Sequence, residues 1–367
     1  MSSLFVATQV RIRLVAYADD LAITREGGGE LRFKLGGLGL TLAPVLTEEG
    51  HATDTQLLTA VHAVEAPAAI LQLLEQLVTE EREEAAHRRE SEWPQSETGI
   101  SRGLSTTRIR ELLGEPAELV DFFHPFAAEL RRVSSRLVQL LRWHLNRMRP
   151  AYPLARERVE WSLDGTVWHG VPRRPSSPTP FGEWEDLSLS DDGVAIVQGL
   201  LAKESINEPL SRQLLLEAVE LQDSNPRASL VLAVAAAEVG IKQFAGSRSA
   251  SVSEDWLLSE LPSPPIYKLW SEDYLGLFTN VRTREKPDKD SKRQIIPSPL
   301  RQALRKAVDE RNKAVHAGAA PPDEEMLAEC LAAANDFLYA LDWFAGQEWA
   351  FEHIREEIRG KWELGQV

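Results

Sequence analysis

The chain has 367 residues, of which 43% are hydrophobic and 26% charged, and its formal net charge is −15. This length and balance suit a globular protein with more than one core and exclude a largely disordered chain; the negative charge excludes a protein that coats nucleic acid indiscriminately, since phosphate binding is mainly electrostatic. One cysteine, Cys330, rules out an internal disulfide and a cysteine-rich zinc site, and within Cys330-Leu331-Ala332-Ala333-Ala334 it reads as a small core residue.

The first residues carry no basic segment ahead of a long apolar one, and no run approaches the roughly 18 apolar residues of a membrane span, so a cytoplasmic protein without membrane contact is expected. Between Gln9 and Val15, Val10, Ile12 and Leu14 alternate with Arg11 and Arg13; residues 31–35 and 38–42 repeat this two-residue period. Three strands are expected, turning at Gly27-Gly28-Gly29 and Gly36-Gly37, with Pro44 ending the third. These glycines fit neither Gly-x-Gly-x-x-Gly nor a phosphate-cradling loop.

Thr53-Asp54-Thr55-Gln56 has the form of a capping box, and Pro67 leads into Ile70, Leu71, Leu73, Leu74, Leu77 and Val78, an amphipathic helix that fades into the polar stretch Glu80–Glu92. Pro94 and a Ser/Gly/Thr-rich loop to Thr107 follow. From Pro116 to Met148 an apolar stripe that includes Leu119, Phe123, Leu130, Leu137 and Leu141 predicts a long helix, kinked or divided at Pro125. Residues 157–171 read as a hairpin about Asp164-Gly165. Pro172-Arg173-Arg174-Pro175-Ser176-Ser177-Pro178-Thr179-Pro180 is an extended linker.

The expected class is α+β. An N-terminal α/β domain, residues 1–171, carries a small antiparallel sheet and long helices; a C-terminal all-α helical bundle, residues 181–367, has helical periods at 193–204, 209–222, 226–245, 252–260, 266–281, 299–317 and 323–350.

Two stretches are locally basic. Between Arg131 and Arg158 there are eight arginines and one acid, Glu157. A second region runs through Arg282, Arg284, Lys286, Lys289, Lys292 and Arg293, partly offset by Glu285, Asp288 and Asp290, and continues to Arg301, Arg305 and Lys306. Each is either a track for an RNA backbone or a solvated face balancing nearby acids. Trp143-His144 on the first could stack a base, or lie in the core. No two histidines lie three to five residues apart, so no zinc site, no other metal and no cofactor are expected.

The densest chemistry is Arg311-Asn312-Lys313-Ala314-Val315-His316. A guanidinium offers forked donors to a phosphate, and an imidazole can give or take a proton near neutral pH. Asn312 and His316 share a helix face, whereas Arg311 lies about 140° from His316, so convergence needs a helix end or a partner chain.

This Arg-Asn-x-x-x-His motif, with an Ala-rich helix around residues 228–244 whose only acid is Glu238, resembles the HEPN superfamily over roughly residues 190–350. Residues 1–180 resemble no family we recognise. The resemblance implies a metal-independent endoribonuclease, plausibly a toxin or antiphage-defence effector, that cuts RNA by 2′-OH attack to leave 2′,3′-cyclic phosphate ends. By this analogy His316 is the acid–base group, Arg311 stabilises the phosphorane, Asn312 orients them and Glu238 holds Arg311 or His316. Arg282, Arg284, Lys292, Arg293, Arg305 and Lys313 would contact the RNA backbone. A homodimer through the C-terminal domain is implied, with residues 1–171 sensing a trigger or regulatory partner. The alternatives are a silent HEPN-like dimerisation scaffold, adaptor or antitoxin, in which His316 is buried and paired, and nucleotide binding without cleavage.

Overall fold

Apolar side chains alternate with arginine, lysine and threonine through the first part of the chain, and burying the apolar set on one side produces a sheet. A computed structural model describes residues 9–18, 23–25, 29–46, 52–90, 117–147, 154–171, 187–248, 269, 272–281, 283–284, 295–317 and 320–362. They fall into two compact units, one within Met1–Leu141 and Tyr152–Ile206, the other within Arg142–Ala151 and Asn207–Val367. The expected linker at 172–180 lies outside the described residues. The unit boundary is displaced from it, because the helix after it belongs with the sheet.

The first unit contains strands β1 (Gln9–Ala18), β2 (Ile23–Arg25), β3 (Leu31–Leu35), β4 (Leu38–Leu46) and β5 (Ala52–Glu65), then helices α1 (Ala68–Glu90) and α2 (Ala117–His144, up to Leu141). Strands β6 (Ala155–Ser162), β7 (His169–Gly170) and β8 (Leu187–Leu189) and helix α3 (Asp191–Ala202) complete it. Six strands form an antiparallel sheet in the order β3-β4-β5-β1-β6-β7; β2 and β8 pair separately and in parallel. The register Ile12↔His62, Leu14↔Ala60 and Leu14↔Val159 places apolar residues of neighbouring strands on one face. Val10, Ile12, Leu14, Leu31, Phe33, Leu40, Leu42, Leu58, Val159 and Trp161 are all buried there. Each large apolar side chain so removed from water contributes about 1.5–3 kcal/mol. Helix α2 covers this face, with Phe123 stacked on Trp161 at 6.4 Å and Phe126 edge-on to His62 at 6.4 Å.

Two expectations are corrected here, and of the alternatives expected at Pro125, a kink or a division, the division is excluded. The capping box at Thr53–Gln56 is part of β5, since the alternation of Leu58, Ala60 and Val64 prevails over the local signal. Strand β4 continues past Pro44 to Leu46. Leu38, Leu40 and Leu42 face β3 in the hairpin; Pro44 points its missing N–H the same way, beyond the β3 residue Leu31 that pairs with Leu42, so no ladder bond is lost. Helix α2 runs through Pro125 as one element. The hairpin around Asp164-Gly165 forms, but residues 163–168 connect its strands in place of a two-residue turn, with Trp161 paired to His169; Asp164 accepts from the Thr166 and Val167 N–H groups at 2.7 and 3.0 Å, and Gly165 has φ 79°.

Helix α3 guards the edge strand. Gln198 accepts from the Lys34 N–H at 2.9 Å and donates to the Lys34 carbonyl at 2.7 Å, so a side-chain amide stands where another strand would pair. The C-terminal carbonyls of α3 are capped by Arg136, whose guanidinium donates to those of Leu200 and Leu201 at 3.1 and 2.9 Å and, beyond the helix, to that of Ile206 at 2.7 Å.

The second unit is helical: α4 (Leu210–Leu221), α5 (Pro226–Arg248), a short α6 (Glu272–Leu275), α7 (Ser298–His316), α8 (Glu324–Phe344), a 3₁₀ turn at Glu348–His353 and α9 (Glu356–Arg359). The helix expected at 252–260 lies outside the described residues; of that expected at 266–281, Leu269 and α6 are helical and residues 276–281 are not. The element expected at 323–350 is divided, because Gly346, at φ 93°, ends α8 and the 3₁₀ turn follows. Helix α5 packs against α4, α7 and α8. Gly240 permits this approach, since a Cβ there would lie 2.3 Å from Leu338. Among the described residues α5 alone is long and apolar enough to cross a membrane, and 61% of its apolar window is buried inside the protein.

Candidate functional site

Helix α7 carries the candidate residues. Leu300, Leu304, Ala307, Val308 and Ala314 are its buried stripe. It ends where Ala317 closes the last turn by donating to the Lys313 carbonyl at 3.0 Å. The seam towards α5 and the solvent side of α7 therefore receive different parts of the motif.

Arg311 points inward to α5. Its Nη2 donates to Glu238 Oε1 at 2.8 Å, with 25% of the arginine side chain and 22% of the glutamate exposed. Arg311 Nε is buried without a hydrogen-bond partner. A guanidinium has five N–H donors, so the Glu238 contact leaves capacity for a phosphate. Such a half-buried pair holds the guanidinium plane in place better than a freely solvated side chain would.

Asn312 and His316 lie on the exposed side, four residues apart, in the same stripe as Arg305 and Asp309. Val315 beside them is 51% exposed. The structure thus brings Glu238 to Arg311 and aligns Asn312 with His316, but turns Arg311 and His316 to different sides of one helix. A buried, paired His316, as the scaffold alternative expects, is not observed.

The backbone-contact candidates are scattered. Arg282, Lys292 and Arg293 lie outside the described residues. Arg284 is exposed, and its N–H donates to the Lys361 carbonyl at 2.8 Å. Arg305 is exposed on α7. Lys313 is exposed but paired with Glu310 at 2.8 Å, and that contact raises the ammonium pKa, keeping it charged. Among the described residues no group of three or more His, Cys, Asp or Glu side chains is placed to hold a metal ion.

Arg131, Arg132, Arg136, Arg142 and Arg158 each have a partner within the protein. Arg131 pairs with Glu157 at 2.5 Å, Arg132 with Glu129 at 2.8 Å and Arg158 with Glu160 at 3.1 Å, while Arg136 caps α3. Arg142 is only 2% exposed and forms a two-pronged pair with Glu208, which is 1% exposed, one contact being 2.9 Å. The base-stacking role considered for Trp143-His144 is excluded by burial: Trp143 is 6% exposed and donates to Asp342 at 2.9 Å, and His144 is 8% exposed. The Arg131–Glu157 and Arg142–Glu208 pairs join residues 26 and 66 positions apart, so the charge pattern alone did not reveal them.

A buried polar network surrounds Trp143 in the second unit. Arg212 lies 3.4 Å over the Tyr339 ring and donates to Asn335 at 2.7 Å and Asp342 at 3.3 Å. The Tyr339 hydroxyl donates to the Trp143 carbonyl at 2.9 Å. Burial pushes the His144 imidazole down to about 4 and lowers His353 as well; it raises the Glu208 and Asp342 carboxyls. Cys330 is buried, and burial lifts its thiol to about 11, which removes it from nucleophilic chemistry.

No family model, curated protein or solved structure matches the chain.

Proposed function

We propose that the protein is a metal-independent endoribonuclease of the HEPN type, acting as a toxin or defence effector. One observation carries this reading: Glu238 fixes Arg311 at 2.8 Å on the same helix that exposes Asn312 and His316. A scaffold has no need to hold an arginine beside an exposed amide and imidazole, and the exposed His316 counts against that alternative.

In the proposed reaction the ribose 2′-oxygen attacks the adjacent phosphorus. His316 takes the 2′-hydroxyl proton, and an imidazolium at that position returns a proton to the departing 5′-oxygen, leaving a 2′,3′-cyclic phosphate and a 5′-hydroxyl. Arg311 donates to the charge that builds on the pentacoordinate phosphate, where one positioned donor contributes roughly 3–4 kcal/mol. Asn312 orients a phosphate oxygen or the imidazole. Because Arg311 and His316 diverge on one helix, the complete site forms in a homodimer, with Arg311 of one copy serving His316 of the other.

The test is incubation of purified protein with cellular RNA in EDTA and mapping of the new ends. Cyclic-phosphate ends are expected; 3′-hydroxyl ends, or cutting that EDTA abolishes, would refute the mechanism.

A further inference from the structure

The six-stranded sheet has a second face, and its pattern differs from the buried one. The register aligns Arg13, Val61, Gly39 and Lys34 in one row across β1, β5, β4 and β3, and Val15, Thr59, Thr41 and Arg32 in the next. Strand β6 extends these rows with Glu160 and Arg158. Arg11 follows on the same face of β1, two residues before Arg13. Arg11, Arg32, Lys34 and Arg158 are exposed; Gly39, Thr41, Thr59 and Val61 are half-buried, and Val15 and Glu160 are buried.

The face is therefore an uncharged floor between two cationic rims. Three strand spacings separate β1 from β3, about 14 Å at about 4.8 Å each. Among the described residues, five cations stand against Glu30, Glu65 and Glu160, with Asp191 of α3 lining a hollow beside Arg32. Glu30 is engaged by Arg32 at 2.9 Å, and Glu160 by both Arg13 and Arg158. Arg13 also lies 4.0 Å over the Trp168 ring. Arg11 is laid over the turn at Gly165, where any Cβ would fall 2.0 Å from its guanidinium. Arg11 and Lys34 stand on opposite rims without a carboxylate partner among the described residues.

We infer that this open sheet face binds single-stranded RNA. The phosphates run along the Arg11–Arg13–Arg158 rim and the bases lie across the Val61, Thr59, Gly39 and Thr41 floor towards Arg32 and Lys34. A flat floor of small residues admits base faces without a sequence requirement, the threonine hydroxyls can donate or accept, and the flanking cations supply the salt-sensitive attraction. The overall charge of −15 confines that attraction to the rims. The choice of RNA over another polyanion rests on the ribonuclease reading; the surface itself does not depend on His316.

The experiment uses the full chain with His316→Ala, so that RNA is not consumed, and a fluorescent single-stranded RNA of about 12 nucleotides, a length near the footprint of one such platform. Binding is followed by anisotropy across a salt series. Arg11→Glu combined with Lys34→Glu is expected to weaken binding at least tenfold. The neutral pair Arg11→Gln with Lys34→Gln should reduce the log–log salt slope by about 1.4, two contacts at about 0.7 each. Ultraviolet crosslinks should map to β1, β4 and β5, and Arg11→Lys with Lys34→Arg should retain affinity. Unchanged affinity in the charge-reversed protein, crosslinks confined to other segments, absence of RNA binding, or preference for polyglutamate over RNA each overturn the inference. Cleavage is read separately with His316 intact: RNA bound at the sheet but uncut sinks the nuclease reading alone, and RNA cut without sheet binding sinks the platform alone.

Discussion

Glu238 on α5 accepts a hydrogen bond from Arg311 on α7 at 2.8 Å, joining residues 73 positions apart in the chain. Both side chains keep more than a fifth of their surface in water, so the pair contributes little to stability, about 1 kcal/mol or less. Its value lies in fixing the guanidinium. We predict that Glu238→Gln slows RNA cleavage about tenfold while leaving the folded protein intact, as calorimetry would show. A variant that cuts at the wild-type rate would remove Glu238 from the positioning of Arg311.

The opposite directions of Arg311 and His316 on α7 lead to a second prediction. Arg311→Ala and His316→Ala proteins should each be inactive alone. After mixing and subunit exchange, activity should return to roughly a quarter of the wild-type value, because mixed dimers form half the population and hold one intact site of two. Mixed preparations as inactive as their parents would show that each site is built within one chain.

The Arg142–Glu208 pair supplies a stability prediction. Both side chains are almost completely buried. Removing one partner leaves an uncompensated charge, so Glu208→Ala should cost about 3–5 kcal/mol in urea unfolding. Replacing both, Arg142→Met with Glu208→Leu, should cost less than that single change, since an apolar pair of similar volume needs no compensation. A double variant that loses the sum of the two single effects would contradict the assignment.

His144 predicts a pH dependence. Its imidazole titrates at about 4 in the folded protein because burial disfavours the charged form, against about 6.5 in an unfolded chain. Above the unfolded value both states are neutral and the effect is absent. As pH falls from 6.5 towards 4, the unfolded state takes up a proton that the folded state refuses, and stability falls by about 3 kcal/mol. The raised Glu208 and Asp342 carboxyls act in the opposite direction, so the quantity to measure is the difference between wild type and His144→Gln. That difference should change across this window; parallel pH profiles would exclude His144 as the source.

Much of the local architecture is legible in the sequence. Strands β1, β3 and β4 follow from strict alternation with arginine, lysine and threonine, and α2 and α7 from apolar stripes at helical spacing. Strand β5 was obscured because Thr53–Gln56 imitates a helix start and because Ala60 and His62 give weak apolar alternation. The division into units was hidden for a different reason: Gln198 and Arg136 tie α3 to the first unit through backbone groups that leave no composition signal. At the candidate site, the helical spacing showed that Asn312 and His316 share a face and that Arg311 does not. Their exposure, and the partner of Arg311, depend on how α5 packs against α7, which single-sequence periodicity does not encode. The arginines of α2 allow two readings for the same reason, since Glu208 lies 66 positions from Arg142.

The central claim is that His316 performs acid–base chemistry on RNA without a metal. The most direct test compares wild-type protein with His316→Ala on cellular RNA in EDTA, with the new termini mapped. Cleavage by wild type alone, leaving 2′,3′-cyclic phosphate and 5′-hydroxyl ends, is the predicted result. Equal cleavage by both proteins, or none by either under conditions where the wild type binds RNA, would contradict it.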